Sequence, residues 1–456
     1  MRGDQQGHCP TNRALSMQGR KRILWVSNHT PFLVDFGGGQ RSNLIYRTLR
    51  SLGDVDVLMV CSPPPMHQPI EETIGKTTGA VEVIEPLKRG ELQPWKYLRP
   101  CAPSVVDKIA YNVGRRAIDY KRDPKVGAAL DRMLAIRHYD LIVGRHLKFT
   151  AKAGALSYAP TIIDVDDNEL DLYRSIIRDP CTGFVRRTVL KRRVKSLDHI
   201  VPTLMNRSTC LWVSKREDRD FPGCERASVL PNIPYAMSLP DTPSPLPPDQ
   251  HSKTILFVGM LSYIYNSQGI QSFLKQSWPA IRKAVPDAVL RLVGSRLSTK
   301  DRERWASVPG VELVGYVPDL REAYRNCAFV VVPLWSGGGT NIKVAEALMY
   351  GRTCVVAQPA HRGYADILRD GESLVVARNA QEMAARCIDL LCGPERAAGL
   401  AEAGARAIAS AFSFERFQRE VFRTVENAFR ISPRLVRRCD LPTMEKLEWT
   451  RTSLTN

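Results

Sequence analysis

Along most of the chain, short apolar runs alternate with longer stretches of helical period. Arg22 to Ser27 is such a run; a loop ending in Gly37-Gly38-Gly39 follows. Gln40 to Leu52 then sets Leu44, Ile45, Leu49 and Leu52 at helical spacing, and Val55 to Cys61 supplies the next strand. Leu141–Val143, Thr161–Ile163 and His199–Val201 are further predicted strands, while the proline-rich stretch from Pro63 to Pro103 reads as an elaborated loop. Between Pro231 and Pro248 prolines crowd together with few apolar residues, which marks a linker. Alternation resumes with strands at Ile255–Val258, Val289–Val293, Val311–Val314, Phe329–Val332, Cys354–Ala357 and Leu374–Val376. Helices are predicted between them at Ile270–Ala284, Leu320–Asn326 and Ile342–Tyr350. The last helical patterns, Ala380–Cys392 and Phe414–Phe429, have no strand between them, so they are placed to cross back and tie the halves together. The pattern is α/β: two doubly wound units, each a parallel sheet covered on both faces.

The segment from Val330 to Leu348 carries the strongest chemistry. It reads as a buried strand, the turn Gly337-Gly338-Gly339, and a helix with Thr340 as the expected cap. Glycines let backbone amides approach a ligand, and a helix start presents unpaired N–H groups with partial positive charge, a setting for phosphate. Lys343 and Glu346, three residues apart, share a face of that helix. Arg41, in the first turn of the first helix, opposes the helix dipole and therefore calls for an anionic neighbour. Arg145 and His146 follow a strand, where loops carry function, although a lone histidine has structural uses too.

Composition narrows the class. The 456 residues are 44% hydrophobic and 25% charged, an ordinary globular balance with room for two or three domains. No apolar stretch is long enough to cross a bilayer, and the polar, basic stretch Met1 to Arg22 lacks the apolar middle of a secretory signal. Met17 is an alternative start, since ordered pattern begins only at Arg22. Eleven cysteines without a Cys-x-x-Cys pair fit reduced thiols in a cytosol. The net charge of +18 points to an anionic partner. Arg186, Arg187, Lys191, Arg192, Arg193 and Lys195, interleaved with Val185, Val189, Leu190, Val194 and Leu197, fit either a membrane-surface helix or a core-packed helix with a solvated face. No paired-histidine zinc motif, nucleophile elbow or Walker lysine is present. Without aromatic-interleaved basic strands or a reading helix, a nucleic-acid partner is not expected.

Gly37-Gly38-Gly39-Gln40-Arg41, Val229-Leu230-Pro231-Asn232, Leu256-Phe257-Val258-Gly259, Gly315-Tyr316-Val317 with Asp319, and Gly338 through Leu348 appear in an order that resembles retaining glycosyltransferases of family 4, also called group 1. Gly259-Met260-Leu261-Ser262-Tyr263 followed by Asn266 is similar to sugar transferases of bacterial exopolysaccharide systems. The resemblance implies the GT-B fold of two Rossmann-like domains facing a cleft. Its expected division is a disordered basic extension over 1–21, an acceptor-binding domain over 22–235, a linker over 236–252, a nucleotide-sugar domain over 253–410, and a crossing helix and tail over 411–456.

The implied activity is metal-independent, retaining transfer of a hexosyl unit from a UDP- or GDP-linked sugar to a glycan or lipid-linked acceptor in surface polysaccharide synthesis. The implied location is the cytoplasm, with a peripheral position on the anionic inner-membrane face. Gly259, Gly315, Tyr316, Val317, Gly338, Gly339, Thr340, Asn341, Lys343 and Glu346 would bind the donor. Lys343, Glu346 and His146 would serve catalysis, and Gly37, Gly38, Gly39, Arg41 and Arg145 would meet the diphosphate or acceptor. Met260 and Gln268 stand where the family usually carries an arginine and a lysine, and Gly338 where it carries the first of two glutamates. Asp164, Asp166 and Asp167 form the Asp-x-Asp pattern that holds metal in the other main glycosyltransferase fold; the same pattern at Asp54/Asp56 and Asp218/Asp220 favours a structural role. Rival readings are an epimerase or phosphorylase of the same fold, and a non-catalytic basic binding protein.

Overall fold

The computed structural model describes residues 20–61, 75–77, 79–86, 120–166, 168–178, 182–241, 244–247, 251–337 and 340–438. The expected N-terminal extension, Met17 and the candidates Asp167, Gly338 and Gly339 lie outside the described residues, apart from residues 20 and 21 at the end of that extension. Strands β1 (Lys21–Ser27), β2 (Gly53–Val60), β3 (Val81–Ile84), β4 (Leu141–Arg145), β6 (Thr161–Asp166), β7 (Cys210–Val213) and β8 (Ala227–Val229) form a parallel sheet in the order β3-β2-β1-β4-β6-β7-β8. The short β5 (Tyr158–Ala159) stands outside it. A second parallel sheet runs β11-β10-β9-β12-β13-β14, from β9 (Thr254–Val258), β10 (Val289–Val293), β11 (Val311–Gly315), β12 (Phe329–Val332), β13 (Cys354–Ala357) and β14 (Val375–Ala377). β15 (Val436–Arg437) returns to pair antiparallel with β5.

Strand order reverses between β1 and β4 in the first sheet and between β9 and β12 in the second. At such a switch point the connections leave in opposite directions and open a crevice beyond the carboxyl ends of the strands, where ligands sit in this architecture. Continuous apolar runs such as Phe329–Val332 and Cys354–Ala357 are fully buried because helices cover both faces.

All six strands predicted in the second half are present. Elsewhere the chain departs from the predicted pattern in three places. His199–Val201 is not a strand: Ile200–Met205 is helical, and the sheet position is taken by β7, beside β6. A short apolar run suits either state, and packing decides. Within the stretch read as an elaborated loop, Val81–Ile84 pairs with β2; the rest of Pro63–Pro103 is described only at residues 75–77, 79, 80, 85 and 86. The predicted helix Ile270–Ala284 is two, Ile264–Gln276 and Trp278–Ala284, broken at Ser277 with Pro279 in the second helix's first turn.

Helix α1 (Gly37–Leu52) follows β1, α2 (Glu169–Arg178) follows β6, α3 (Phe184–Leu197) lies beside α2, α4 (Ile264–Gln276) follows β9, and α5 (Ile342–Met349) follows β12. Helix α6 (Phe414–Ile431), capped by Ser413, lies against the first sheet and α1. It buries the stripe Phe417, Val421, Thr424, Val425 and Ala428, and Phe414 and Phe429 receive Arg47 and Lys21 over their rings at 5.3 and 5.2 Å. The linker region is not extended throughout: Tyr235–Ser238 makes a turn whose Ser238 accepts from Arg47 of α1. Among the described residues the seven cysteines are all free and no helix is long and apolar enough to cross a membrane.

Candidate functional site

The two switch points face each other. A Cβ added at Gly37, the first residue of α1, would lie 3.7 Å from Ile342 Cγ2, the first residue of α5, so two helix starts meet across the cleft. The Gly337 N–H donates to Ser175 Oγ of α2 at 3.2 Å, so Gly337 faces the opposite unit rather than open solvent. Arg296 closes one end of the cleft with an ion pair to Asp35 at 2.8 Å. Arg362 closes another by donating to Asp171 at 2.6 Å.

On the first unit, Gly37–Gly39 do not form a loop; they are the opening turn of α1. Gly39 is there for space: a Cβ would stand 1.8 Å from the Leu33 carbonyl oxygen, whereas one at Gly37 meets only ordinary contact. Gly39→Ala is therefore expected to cost about 2 kcal/mol or more, and Gly37→Ala under about 1, read as urea midpoints. Equal midpoints would refute the packing argument.

Arg41 does have the anionic neighbour its position calls for. Its guanidinium grips Asp164 at 2.7 to 3.1 Å and donates to the Leu230 carbonyl and Asn232. Arg145 donates to Asp164 and Asp166, both at 2.7 Å, and to Ser42. Both arginine side chains are at most 1% exposed, so they brace the crevice from beneath and their charges are spent on these aspartates. The Asp-x-Asp pair is thus an internal clamp; no group of three metal-ligating side chains occurs among the described residues. Burial raises the Asp166 carboxyl, but Arg145 and then Arg41 outweigh it and hold the group well below the carboxylate range.

His146 stands at the end of β4 with a left-handed φ of 63°. Its ring lies 6.3 Å from that of His29, which the sequence reading passed over. His29 is buried and shares Ser42 with Arg145 through Nε2 at 2.9 Å. Burial, then the Arg145 charge, pushes both imidazoles down to about 3, so both are neutral at physiological pH. The legible signal for His29 was its place two residues past the first apolar run, at the carboxyl end of the switch-point strand.

On the second unit, Thr340 does not cap the helix. Asn341 is the N-cap residue, without a side-chain cap bond, and the Thr340 hydroxyl has no partner among the described residues. Lys343 donates to Asn266 Oδ1 at 3.2 Å and lies 5.4 Å over the Phe257 ring. Burial pulls its ammonium down to about 8, with Glu346 opposing. Lys343 and Glu346 do not simply pair: Glu346 accepts from Tyr324 at 2.9 Å, and its carboxyl is raised by burial. Gly259, with φ of 152°, lies against Lys343 and Asn266, and Asn266 in turn donates to the Met260 carbonyl at 2.9 Å.

Arg296, also missed by the sequence reading, touches the Met260 sulfur at 4.0 Å. A network of side chains thus runs from Lys343 through Asn266 and Met260 to Arg296 and Asp35. Arg296 adopts φ of 66°, a cost that a non-glycine residue bears only where its surroundings impose it. Gly315, Tyr316 and Val317 sit at the end of edge strand β11, two strands from β9, with Tyr316 63% exposed.

Two doubly wound units that face helix starts across a cleft define a GT-B protein. Residues 252–392, most of the second unit, match the model of the family described as Glycosyl transferases group 1. No curated protein sequence matches the chain. Among solved structures, sucrose-phosphate synthase of Thermosynechococcus elongatus is similar at 16% identity and TM-score 0.61, covering 91% of this chain and 100% of its own. HepE of Anabaena in complex with UDP and glucose gives 12% identity and TM-score 0.57 over 90% of this chain and 100% of its own. TarM of S. aureus, in a complex containing UDP and alpha-GlcNAc-glycerol, gives 11% and 0.56 over 89% and 99%.

Proposed function

We propose that the protein transfers a hexosyl unit from a nucleotide diphosphate sugar to a hydroxyl of a glycan or lipid-linked acceptor, with retained configuration and without a metal. The observation that carries this reading is the partly buried Lys343 at the start of α5, the helix whose first residue, Ile342, meets the start of α1 across the cleft. Breaking a glycosyl phosphate bond places charge on the departing diphosphate while the sugar becomes oxocarbenium-like. Helix-start amides and Lys343 oppose that charge in a site from which the facing unit excludes water. Arg296, beside Met260, provides a second cation if donor binding draws it from Asp35. The departing diphosphate takes the acceptor proton, so neutral His29 and His146 need only orient polar groups. Glu346 is suited to accept from a ribose or sugar hydroxyl.

The structures of HepE and TarM with UDP support a nucleotide-sugar donor, and they favour uridine over guanosine as the first base to try. Helix α3 supports a peripheral place at an anionic membrane: Phe184 and Val185 are 81% and 75% exposed beside the basic run. That placement, on the cytoplasmic membrane face, suits a lipid-linked acceptor of extracellular or surface polysaccharide synthesis.

Calorimetric titration with UDP- and GDP-sugars across pH tests the reading. Lys343 carries its proton below about 8 and loses it above, and a bound diphosphate holds the proton more firmly. Donor Kd is therefore expected to rise from about pH 8 upward, and Lys343→Ala to remove that rise. A donor panel that never binds, or binding indifferent to pH and to Lys343, would defeat the proposal. Isomerisation of a donor without acceptor would identify an epimerase instead.

A further inference from the structure

A separate cavity of about 430 Å³ lies between the units at the β7–β8 side of the cleft. It is walled by Ser214, the turn Arg216–Asp220 and β8 from the first unit, by Thr340, Gly363 and Asp366 from the second, and by Arg423 of α6. Lys343, Glu346 and Gly259 line none of it, and Thr340 is the one residue it shares with those expected to bind the donor, so it adjoins the donor crevice without coinciding with it.

Four cations and one acid, Asp366, border the space. Lys215 is balanced by Asp171 and Asp218 at 2.9 and 3.4 Å, and Arg423 by Glu420 at 2.8 Å. Arg216 and Arg219 have no ion-pair or hydrogen-bond partner among the described residues. They are three apart on a 3-10 turn and so point the same way. The hydroxyls of Ser214, which is 3% exposed, and Thr340 also have no partner. Buried hydroxyls without partners are costly and rare, and here both belong to residues that wall the same cavity as two uncommitted guanidinium groups, so a small side-chain rotation brings them to a ligand there.

We propose that this cavity is a second anion site that takes a phosphate-bearing small molecule. A tetrahedral phosphate offers enough oxygens for two arginines and two hydroxyls at once, which a carboxylate does not. The volume admits a phosphate with an attached sugar-sized group. Because the donors come from both units, the ligand draws the units together. The site stands whether or not the crevice at Lys343 binds a nucleotide sugar.

Phosphorus NMR titration of the full chain with inorganic phosphate, then glucose 6-phosphate, tests it. Saturable binding is expected, weakened about tenfold or more by the double variant Arg216→Gln/Arg219→Gln and several-fold by Ser214→Ala. Lys343→Ala should leave it unchanged. Flotation with phosphatidylcholine vesicles containing phosphatidate separates the sources: capture that the same variants abolish, with no binding of free phosphates, assigns the group to a lipid headgroup. The exposed arginines can be changed without loss of fold, which melting curves verify. The proposal falls if neither form binds, if the arginine variants bind as the native chain does, or if Lys343→Ala abolishes binding.

Discussion

Replacing Lys343 by alanine is expected to lower kcat for sugar transfer about 100- to 1,000-fold, the usual loss when one preorganised charge on a leaving group is removed. Stability should hold or rise. The sign follows from the depressed ammonium: its proton is held less tightly in the folded protein than in the unfolded chain, so the charge opposes folding below about pH 8 and ceases to do so as the pH approaches the ordinary lysine value. With the side chain only partly enclosed, relief on the order of 1 kcal/mol is expected at neutral pH. Lys343→Arg restores a cation but must displace Asn266 from its 3.2 Å bond, so it should recover only part of the rate. Unchanged turnover with an authentic donor would remove the basis of the proposed mechanism, and a rate loss matched by a lower melting temperature would make Lys343 structural.

Asp164→Ala should do the reverse and act on the fold. Asp164 is fully buried between Arg41 and Arg145, whose side chains are themselves at most 1% exposed, so its removal leaves two guanidinium groups facing each other with Asp166 alone. Breaking such a cluster by one partner typically costs about 3–5 kcal/mol, a large share of the stability of a domain. Glu402→Ala supplies the reference, because its pair with Arg406 is exposed and such pairs are worth about 0–1 kcal/mol. Urea unfolding of the two variants checks the expectation; equal midpoints would mean that the clamp adds nothing beyond a surface pair.

These two outcomes divide the sequence motifs by role. Lys343 and Arg41 both follow a triple glycine at the start of a helical pattern, and the sequence treats them alike. The fold separates them. Behind Arg41 lies β6 with Asp164 at its carboxyl end, and the guanidinium turns inward to it, whereas Lys343 has Phe257 and Gly259 beneath it and keeps its charge beside the cleft. Nothing in the local pattern of Arg296 differs from an ordinary loop residue, and His29 carries only its place after the first apolar run; their meaning comes from Asp35, Met260 and Ser42, far away in the chain or across the cleft.

By itself the sequence determined the α/β class, all six strands of the second sheet, the position of α5 and the residue that its first turn presents. Those features depend on local periodicity and on the glycine turn, which neighbouring residues suffice to specify. Tertiary structure decided the rest. It made Ile200–Met205 a helix by giving the sheet position to Cys210–Val213, started α1 at the glycines, left the Thr340 hydroxyl unpaired, and turned two arginines into a buried brace. Each of these is settled by burial and by partners distant in sequence, and a run of residues read alone carries no record of either.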